Sequence, residues 1–400
     1  MTSERTNRRS VLGLVGGSVT VSIAGCTTLT GSDDPVVESG PGDGPDDGET
    51  EGTGVDRTAT EWPTVQYDAA NTGTAGTGGG PRASATVRGS HTAGDEIAAE
   101  PAIGDGVAYV GSLDGSLYAI SLADGSLEWS VDTGGGISTP PAVVDGTVFV
   151  GTGAGSLQAV DAITGDPVWM VELPAPTRAG PVLADGTLYV GCGDDRLYAR
   201  SSTDGSELWS FRTAGPVAGG PTVADGTVYI QSHDDYVYAI DTADRSERWK
   251  FRVENGGGPN APTVVDGTVY VGDNNGTLYA LEAATGDELW TATATATVRT
   301  PAVVGDTVYT RGSLIRAFDA ATGERRWQAD VGRVGGSPTV ADGVLYVGTW
   351  DAMVHALDIE DGSNRWTHDA EYEVSRSVAV ADGTLVYGDD YGNIVVLGGS

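Results

Sequence analysis

Apolar residues in this chain come in short runs broken by turn residues at near-regular intervals. Residues 141–169, PAVVDGTVFVGTGAGSLQAVDAITGDPVW, show the pattern most clearly. The stretch reads as strand, Asp-Gly turn, strand, Gly turn, strand, Thr-Gly turn, strand. Val, Phe and Leu fill the runs. Glycine adopts the positive φ that a two-residue hairpin turn requires, so Asp145-Gly146 marks a hairpin. One unit predicts a small four-stranded antiparallel sheet. Alone it cannot bury both faces, so it must stack on copies of itself.

Copies are present. The opening proline recurs at Pro101, Pro141, Pro181, Pro221, Pro262, Pro301 and Pro338, and Ser377 takes the next place, at spacings of 40, 40, 40, 41, 39, 37 and 39. The closing tryptophan keeps step at Trp129, Trp169, Trp209, Trp249, Trp290, Trp327 and Trp366. A four-stranded unit of this length is a β-propeller blade. Seven complete units run from about residue 97 to 368, and an eighth begins near Val374 and stops after three strands. Residues 84–91 sit where the fourth strand of a preceding blade belongs, without its tryptophan. The fold expected is all-β: an eight-bladed propeller over 61–400, its last blade closed by that N-terminal strand. Eight blades are preferred to seven. Closure removes a free sheet edge between the chain ends.

Composition adds a surface. The 400 residues hold 22 basic and 56 acidic side chains, a formal net charge of −34, and Lys250 is the one lysine. So negative a chain repels phosphate backbones, which argues against nucleic acid as a partner. The acidic excess and near absence of lysine point to adaptation to concentrated salt. There the Debye length falls to about 3 Å and self-repulsion is screened. An acidic protein of ordinary salt is the alternative.

The first 25 residues read as an export signal. Arg8-Arg9-Ser10-Val11-Leu12 fits the twin-arginine pattern, and a Gly-rich apolar run follows over residues 11–24. That run is too short and glycine-rich for a membrane span. Ile23-Ala24-Gly25-Cys26 resembles a lipobox, which implies cleavage before Cys26 and lipid on its thiol. The combination resembles a haloarchaeal-type twin-arginine lipoprotein signal. Cleavage removes Arg5, Arg8, Arg9 and Glu4 and leaves the chain more acidic still. Residues 26–60 are Gly/Asp-rich with almost no apolar side chains, and read as an acidic disordered tether.

Each full unit carries an alanine ten residues before its tryptophan, as in Ala159-Val160-Asp161-Ala162-Ile163-Thr164-Gly165-Asp166-Pro167-Val168-Trp169. Ala317 to Trp327 and Ala280 to Trp290 repeat it. This motif resembles the tryptophan-docking motif of the pyrroloquinoline quinone (PQQ)-like, quinoprotein-type propeller repeat family. The segment from Trp62 to Gly73 resembles that family's N-terminal stretch. The resemblance implies that each indole packs between neighbouring blades and that the alanine leaves room for it. The tryptophans are then structural docking residues.

The same resemblance brings an enzyme reading. Quinoprotein dehydrogenases of this type use a vicinal Cys-Cys disulfide over the quinone, Ca²⁺ held by carboxylate and amide oxygens, and a catalytic Asp. This chain has two cysteines, Cys26 and Cys192, and no Cys-Cys pair. His91, His233, His355 and His368 lack metal-ligand spacing. Cys192 reads as a small buried residue rather than a nucleophile. Asp194-Asp195, His233-Asp234-Asp235 and Asp273-Asn274-Asn275-Gly276 carry clustered oxygens suited to Ca²⁺, yet all three align with an ordinary hairpin turn at Asp114-Gly115.

Arginines gather just before the repeat proline, where the chain enters the channel: Arg178, Arg299 and Arg376, with Arg333 slightly earlier and Glu100 in the first unit. They form a positive funnel for a carboxylate or phosphate group, or each pairs with a nearby carboxylate. The expectation is a lipid-anchored, monomeric, extracytoplasmic propeller on the outer face of the cytoplasmic membrane. It acts as a non-catalytic scaffold for a protein partner or a small anionic ligand, with no cofactor. It is similar to the propeller lipoproteins of bacterial outer-membrane assembly. A PQQ- or metal-dependent dehydrogenase, with PQQ and Ca²⁺, and a surface ligand sensor are the alternatives. Salt adaptation predicts that dialysis from molar to low salt reversibly reduces the β-sheet circular-dichroism signal. Full retention would count against it.

Overall fold

The computed structural model describes residues 68, 74–75 and 78–399, apart from 256, 257, 259 and 295. All lie in one compact unit, Asp56–Ser400. Arg8, Arg9, Cys26, the tether over 26–60 and most of the stretch over 62–73 fall outside the described residues.

The described residues form strands and turns with no helix. Eight blades of four antiparallel strands follow one another, seven of them built from four consecutive hairpin-linked strands. In the second blade these are Ala142–Val144, Thr147–Gly151, Ser156–Asp161 and Pro167–Glu172. The innermost strand of every blade has three residues, as in Ala102–Gly104 and Ala379–Ala381. Each innermost strand touches those of both neighbours, and Ala102–Gly104 meets Ala379–Ala381, which closes the ring. The middle strands are buried on both faces and read as continuous apolar runs, whereas the outer strands alternate half-buried and exposed. The Asp-Gly turn between the first two strands takes positive φ at both residues, 48° at Asp145 and 72° at Gly146, as a type I′ turn requires.

The indoles hold the blades together. Trp169 lies opposite Ala159 across the sheet, Trp249 opposite Ala239 and Trp290 opposite Ala280. These alanines have no exposed surface. Beside each pair the register slips by one residue, a bulge that re-aims the indole toward the next blade. There its Nε1–H donates to a main-chain carbonyl: Trp129 to Ala162 at 3.1 Å, Trp169 to Ser202 at 2.9 Å, Trp249 to Ala283 at 2.9 Å, Trp290 to Ala320 at 3.0 Å and Trp327 to Ile359 at 2.9 Å. The turn glycine of that next blade lies flat under the ring. A Cβ on Gly286 would stand 2.6 Å from Trp249.

The seam between the chain ends is built differently. Thr86–Thr92 pairs antiparallel with Asn393–Gly398 and completes the eighth blade. Gly89 stands at the tryptophan position, and a Cβ there would run into the Asp124 carbonyl of the first blade. Arg88, the extra residue of the bulge, does the indole's work. Its Nη1 donates to the Leu122 carbonyl at 3.2 Å and to Thr384 Oγ1 at 2.8 Å. At the preceding junction Trp366 Nε1 donates to the Pro81 carbonyl at 2.7 Å, and Tyr346 Oη donates to it at 3.2 Å. Thr74–Ala75 lies parallel to Thr339–Ala341 as a fifth strand on the inner edge of the seventh blade.

One junction is looser. In the fourth blade Arg245, at φ 66°, replaces the turn glycine that would lie under Trp209. A cavity of about 300 Å³ opens there between Trp209, Tyr189 and Thr242. Truncating a well-packed tryptophan costs about 3–5 kcal/mol. Trp249→Ala, at a sealed junction, is therefore expected to lower the denaturation midpoint more than Trp209→Ala. Equal losses in chemical denaturation would show that the glycine-backed seal adds nothing.

Candidate functional site

A cavity of about 500 Å³ lies where the blades converge. Each blade contributes at least one lining residue from the segment before its innermost strand: Glu100, Ser138, Arg178, Ala218, Ala261, Arg299, Ser337 and Arg376. A space lined by all eight blades sits on the ring axis. The position directly before the repeat proline is occupied by Gly180, Gly220 and Ala261 in blades three to five, and these open the space. In blades eight and one the same position holds Arg376 and Glu100, which project charge into it.

The structure thus brings Arg178, Arg299 and Arg376 to one cavity. Arg333 does not line it; its guanidinium lies 4.6 Å over the Trp350 ring. The pairing alternative holds for one of them: Arg376 Nη2 lies 3.3 Å from Glu96 Oε1. Among the described residues Arg178 and Arg299 form no ion pair. Glu100 Oε1 accepts a hydrogen bond from Ser377 Oγ at 3.3 Å. Burial lowers the pKa of Arg299, Glu100 opposes that shift, and Arg376 adds to it.

Sequence reasoning missed Arg311. It ends the strand Thr307–Arg311, ten residues after the repeat proline, where no other unit carries an arginine. Its Nη1 donates to the Val334 carbonyl at 2.9 Å. Burial, with the like charges of Arg299, Arg333 and Arg376 around it, pushes its pKa down to about 9, and Glu100 opposes the shift. At neutral pH Arg311 remains charged, so Arg299, Arg311, Arg333 and Arg376 lie within reach of one another's charge, beside the carboxylates Glu96 and Glu100. In a chain of net charge −34, this is a strong local reversal of sign.

The carboxylates of the polar turns accept from the protein's own donors, although Asp194 Oδ1 is buried without one. Asp194 Oδ2 accepts from Tyr198 Oη at 2.6 Å, and Asp234 Oδ2 from Tyr238 Oη at 2.7 Å and from the Ala214 amide at 2.8 Å. Asp273 Oδ1 accepts from the amides of Asn275 and Thr277 at 2.9 and 2.6 Å. Among the described residues no three His, Cys, Asp or Glu side chains converge as a metal site. The histidines are dispersed. His91 lies against the Tyr118 ring at 5.4 Å, and His368 Nε2 lies 3.3 Å from Tyr387 Oη.

Four overlapping stretches, residues 75–179, 153–260, 234–329 and 311–397, match the family described as outer membrane protein assembly factor BamB. The chain belongs to that family. BamB of Moraxella catarrhalis is a solved relative at 22% identity and a TM-score of 0.69, covering 79% of this chain and 100% of that one. A europium-containing methanol dehydrogenase has the same fold at 13% identity and a TM-score of 0.72, covering 85% and 98%. A curated relative, the 1-butanol dehydrogenase (cytochrome c) of Thauera butanivorans, is 36% identical over 72 residues. That match spans 15% of this chain and 10% of the relative's length. The expectation that the chain catalyses nothing is corrected by these dehydrogenases. BamB-family repeats and alcohol dehydrogenases occur on one architecture, so the fold gives no ground for setting chemistry aside.

PQQ itself does not find its expected partners at the axis. Glu100 is the one carboxylate lining the cavity, and no Cys, Asp or Asn lines it. Cys192 has no exposed surface, its Sγ lies 3.3 Å from the Ala175 carbonyl, and burial pushes its pKa up to about 11. A thiol so protonated and enclosed is a poor nucleophile. A disulfide reagent at mildly alkaline pH is expected to leave native Cys192 unmodified and to label it fully after unfolding. Rapid labelling of the native protein would overturn this assignment.

Proposed function

We propose that this BamB-family propeller is an extracytoplasmic scaffold, tethered by lipid on Cys26 to the outer face of the cytoplasmic membrane, where it binds a protein partner. Family membership over residues 75–397 carries the reading. The twin-arginine pair Arg8-Arg9, the lipobox ending at Cys26 and the acidic spacer after it supply the address. Export in the folded state suits a ring that is complete only when Thr86–Thr92 has paired with the C-terminal strand. A rigid ring of eight blades presents many loops at fixed spacing, which suits binding by surface complementarity.

A second reading rests on the dehydrogenase relatives: oxidation of a small alcohol by a bound quinone. The 36% identity to the butanol dehydrogenase favours it over 72 residues, and the lining of the axial cavity does not.

The two are separated by experiments on the native chain. Cys26→Ser is expected to move the protein from the membrane to the soluble fraction, and Arg8→Lys with Arg9→Lys to retain it in the cytoplasm. Crosslinking at the native membrane is expected to trap one defined protein at fixed stoichiometry. Membrane retention of Cys26→Ser, or crosslinks to itself alone, would overturn the scaffold reading. A stoichiometric absorbance change on titration with PQQ and Ca²⁺ would establish the second.

A further inference from the structure

We propose that the axial cavity is a binding site for a small, multiply charged oxyanion, a polycarboxylate or phosphate, gripped by Arg178, Arg299 and Arg376, which line it. The inference concerns a ligand inside the ring and does not depend on the partner outside it.

Three observations carry it. First, the charges are unbalanced. Arg178 and Arg299 have no ion-pair partner among the described residues, and Arg376 shares Glu96 at a long 3.3 Å. Arg311 donates to a neutral carbonyl. Second, the Nε of Arg376, which lines the cavity, is buried without a hydrogen-bond partner, as is that of Arg311. A buried guanidinium N–H left unpaired is costly, and an oxyanion is the acceptor whose geometry matches its fork. Third, the space is there. A volume of about 500 Å³ lies within the usual range for small-molecule sites, roughly 300–1,000 Å³. The small residues Gly180, Gly220 and Ala261 leave it open.

The chain's acidity narrows the ligand. The rest of the molecule repels anions, so long-range attraction to the cavity is weak and contact must hold the ligand. In concentrated salt, chloride competes at every guanidinium. A monovalent anion gains nothing over chloride. A ligand with two or more negative groups bridges several arginines at once and displaces several chlorides. Glu100 sets a limit on the charge accepted, because it opposes any anion placed beside Arg299.

The test is calorimetric titration of the full chain in molar potassium chloride, with citrate and inorganic phosphate as probes and acetate as the monovalent control. Binding of citrate alone identifies a carboxylate ligand, and binding of phosphate alone a phosphate. Acetate is expected to give no signal. Arg299→Gln is expected to weaken the binding probe by about tenfold or more, and Arg376→Gln to do likewise. Arg325→Gln, on the outer strand Arg325–Ala329, is expected to leave it unchanged. Glu100→Gln removes the opposing carboxylate without changing shape, and is expected to tighten binding severalfold. That variant keeps the test decisive if an arginine variant fails to fold by circular dichroism. The bound probe should also raise the melting temperature of the wild type and not that of Arg299→Gln. No binding of either polyvalent probe, equal binding of acetate, or an affinity unmoved by Glu100→Gln would overturn the proposal.

Discussion

The structure depends on one contact made again and again: an indole of one blade laid over the turn of the next. The contact has three parts, each needed for a different reason. The opposite alanine leaves volume for the ring, the bulge beside it turns the ring out of its own sheet, and the glycine of the next blade lets it lie flat. The Nε1–H then has one acceptor within reach, a main-chain carbonyl that the blade's own hydrogen bonding leaves free. Apolar burial and a satisfied donor thus act at the same place. Because the acceptor is backbone, the sequence of the neighbouring turn is free to vary while the geometry is kept.

A ring made this way must solve its closure separately, since the last blade is assembled from two chain ends. The outer strand of that blade arrives from the N-terminus and carries no tryptophan. Gly89 brings two backbones into direct contact where other junctions hold a ring, and Arg88 reaches the same kind of carbonyl, that of Leu122. On the other side of the eighth blade, the turn that would accept the Trp366 proton is interrupted by the chain ends. Pro81 supplies the missing carbonyl. The residues before the closing strand therefore belong to the structural logic of the ring. They stand in for the turn that the interruption removes.

The repeat was legible because the same physical problem is solved eight times, and repetition separates signal from accident. Proline spacing, Asp-Gly turns and the Ala-to-Trp interval each follow from blade geometry, and together they predicted strand order, blade number and the closing strand. What stayed hidden was unique to one place. Arg311 follows an apolar strand and looks like a solvent-facing strand end. Only the neighbouring loops reveal that it is enclosed with other guanidiniums. Arg333 lies slightly before the channel-entry position in sequence, yet it stacks on Trp350 and does not line the cavity. Pro81 and Arg88 act through a carbonyl and a bulge that no residue pattern announces. Asp244-Arg245 was visible as a departure from the turn motif, but its consequence, a cavity beside Trp209, required the packing to be seen.

Repetition also explains why chemistry is found at the axis. Eight equivalent positions before the innermost strands face one another across a narrow space, so whatever occupies them meets at close range. Identical charged residues at all eight would repel beyond what burial tolerates, and identical small ones would leave a featureless hole. This chain does neither. Directly before the repeat proline, blades three to five carry Gly180, Gly220 and Ala261, whereas blades eight and one carry Arg376 and Glu100, and Arg178 and Arg299 enter from slightly earlier positions. Arg376 and Glu100 partly cancel, while Arg178 and Arg299 remain in excess. A symmetric scaffold has thus acquired a charged interior by changing a few residues at the axis, without disturbing the indole contacts that hold the ring at its rim. Separation of the rim from the axis is what lets members of one fold share their blades and differ in what the centre holds.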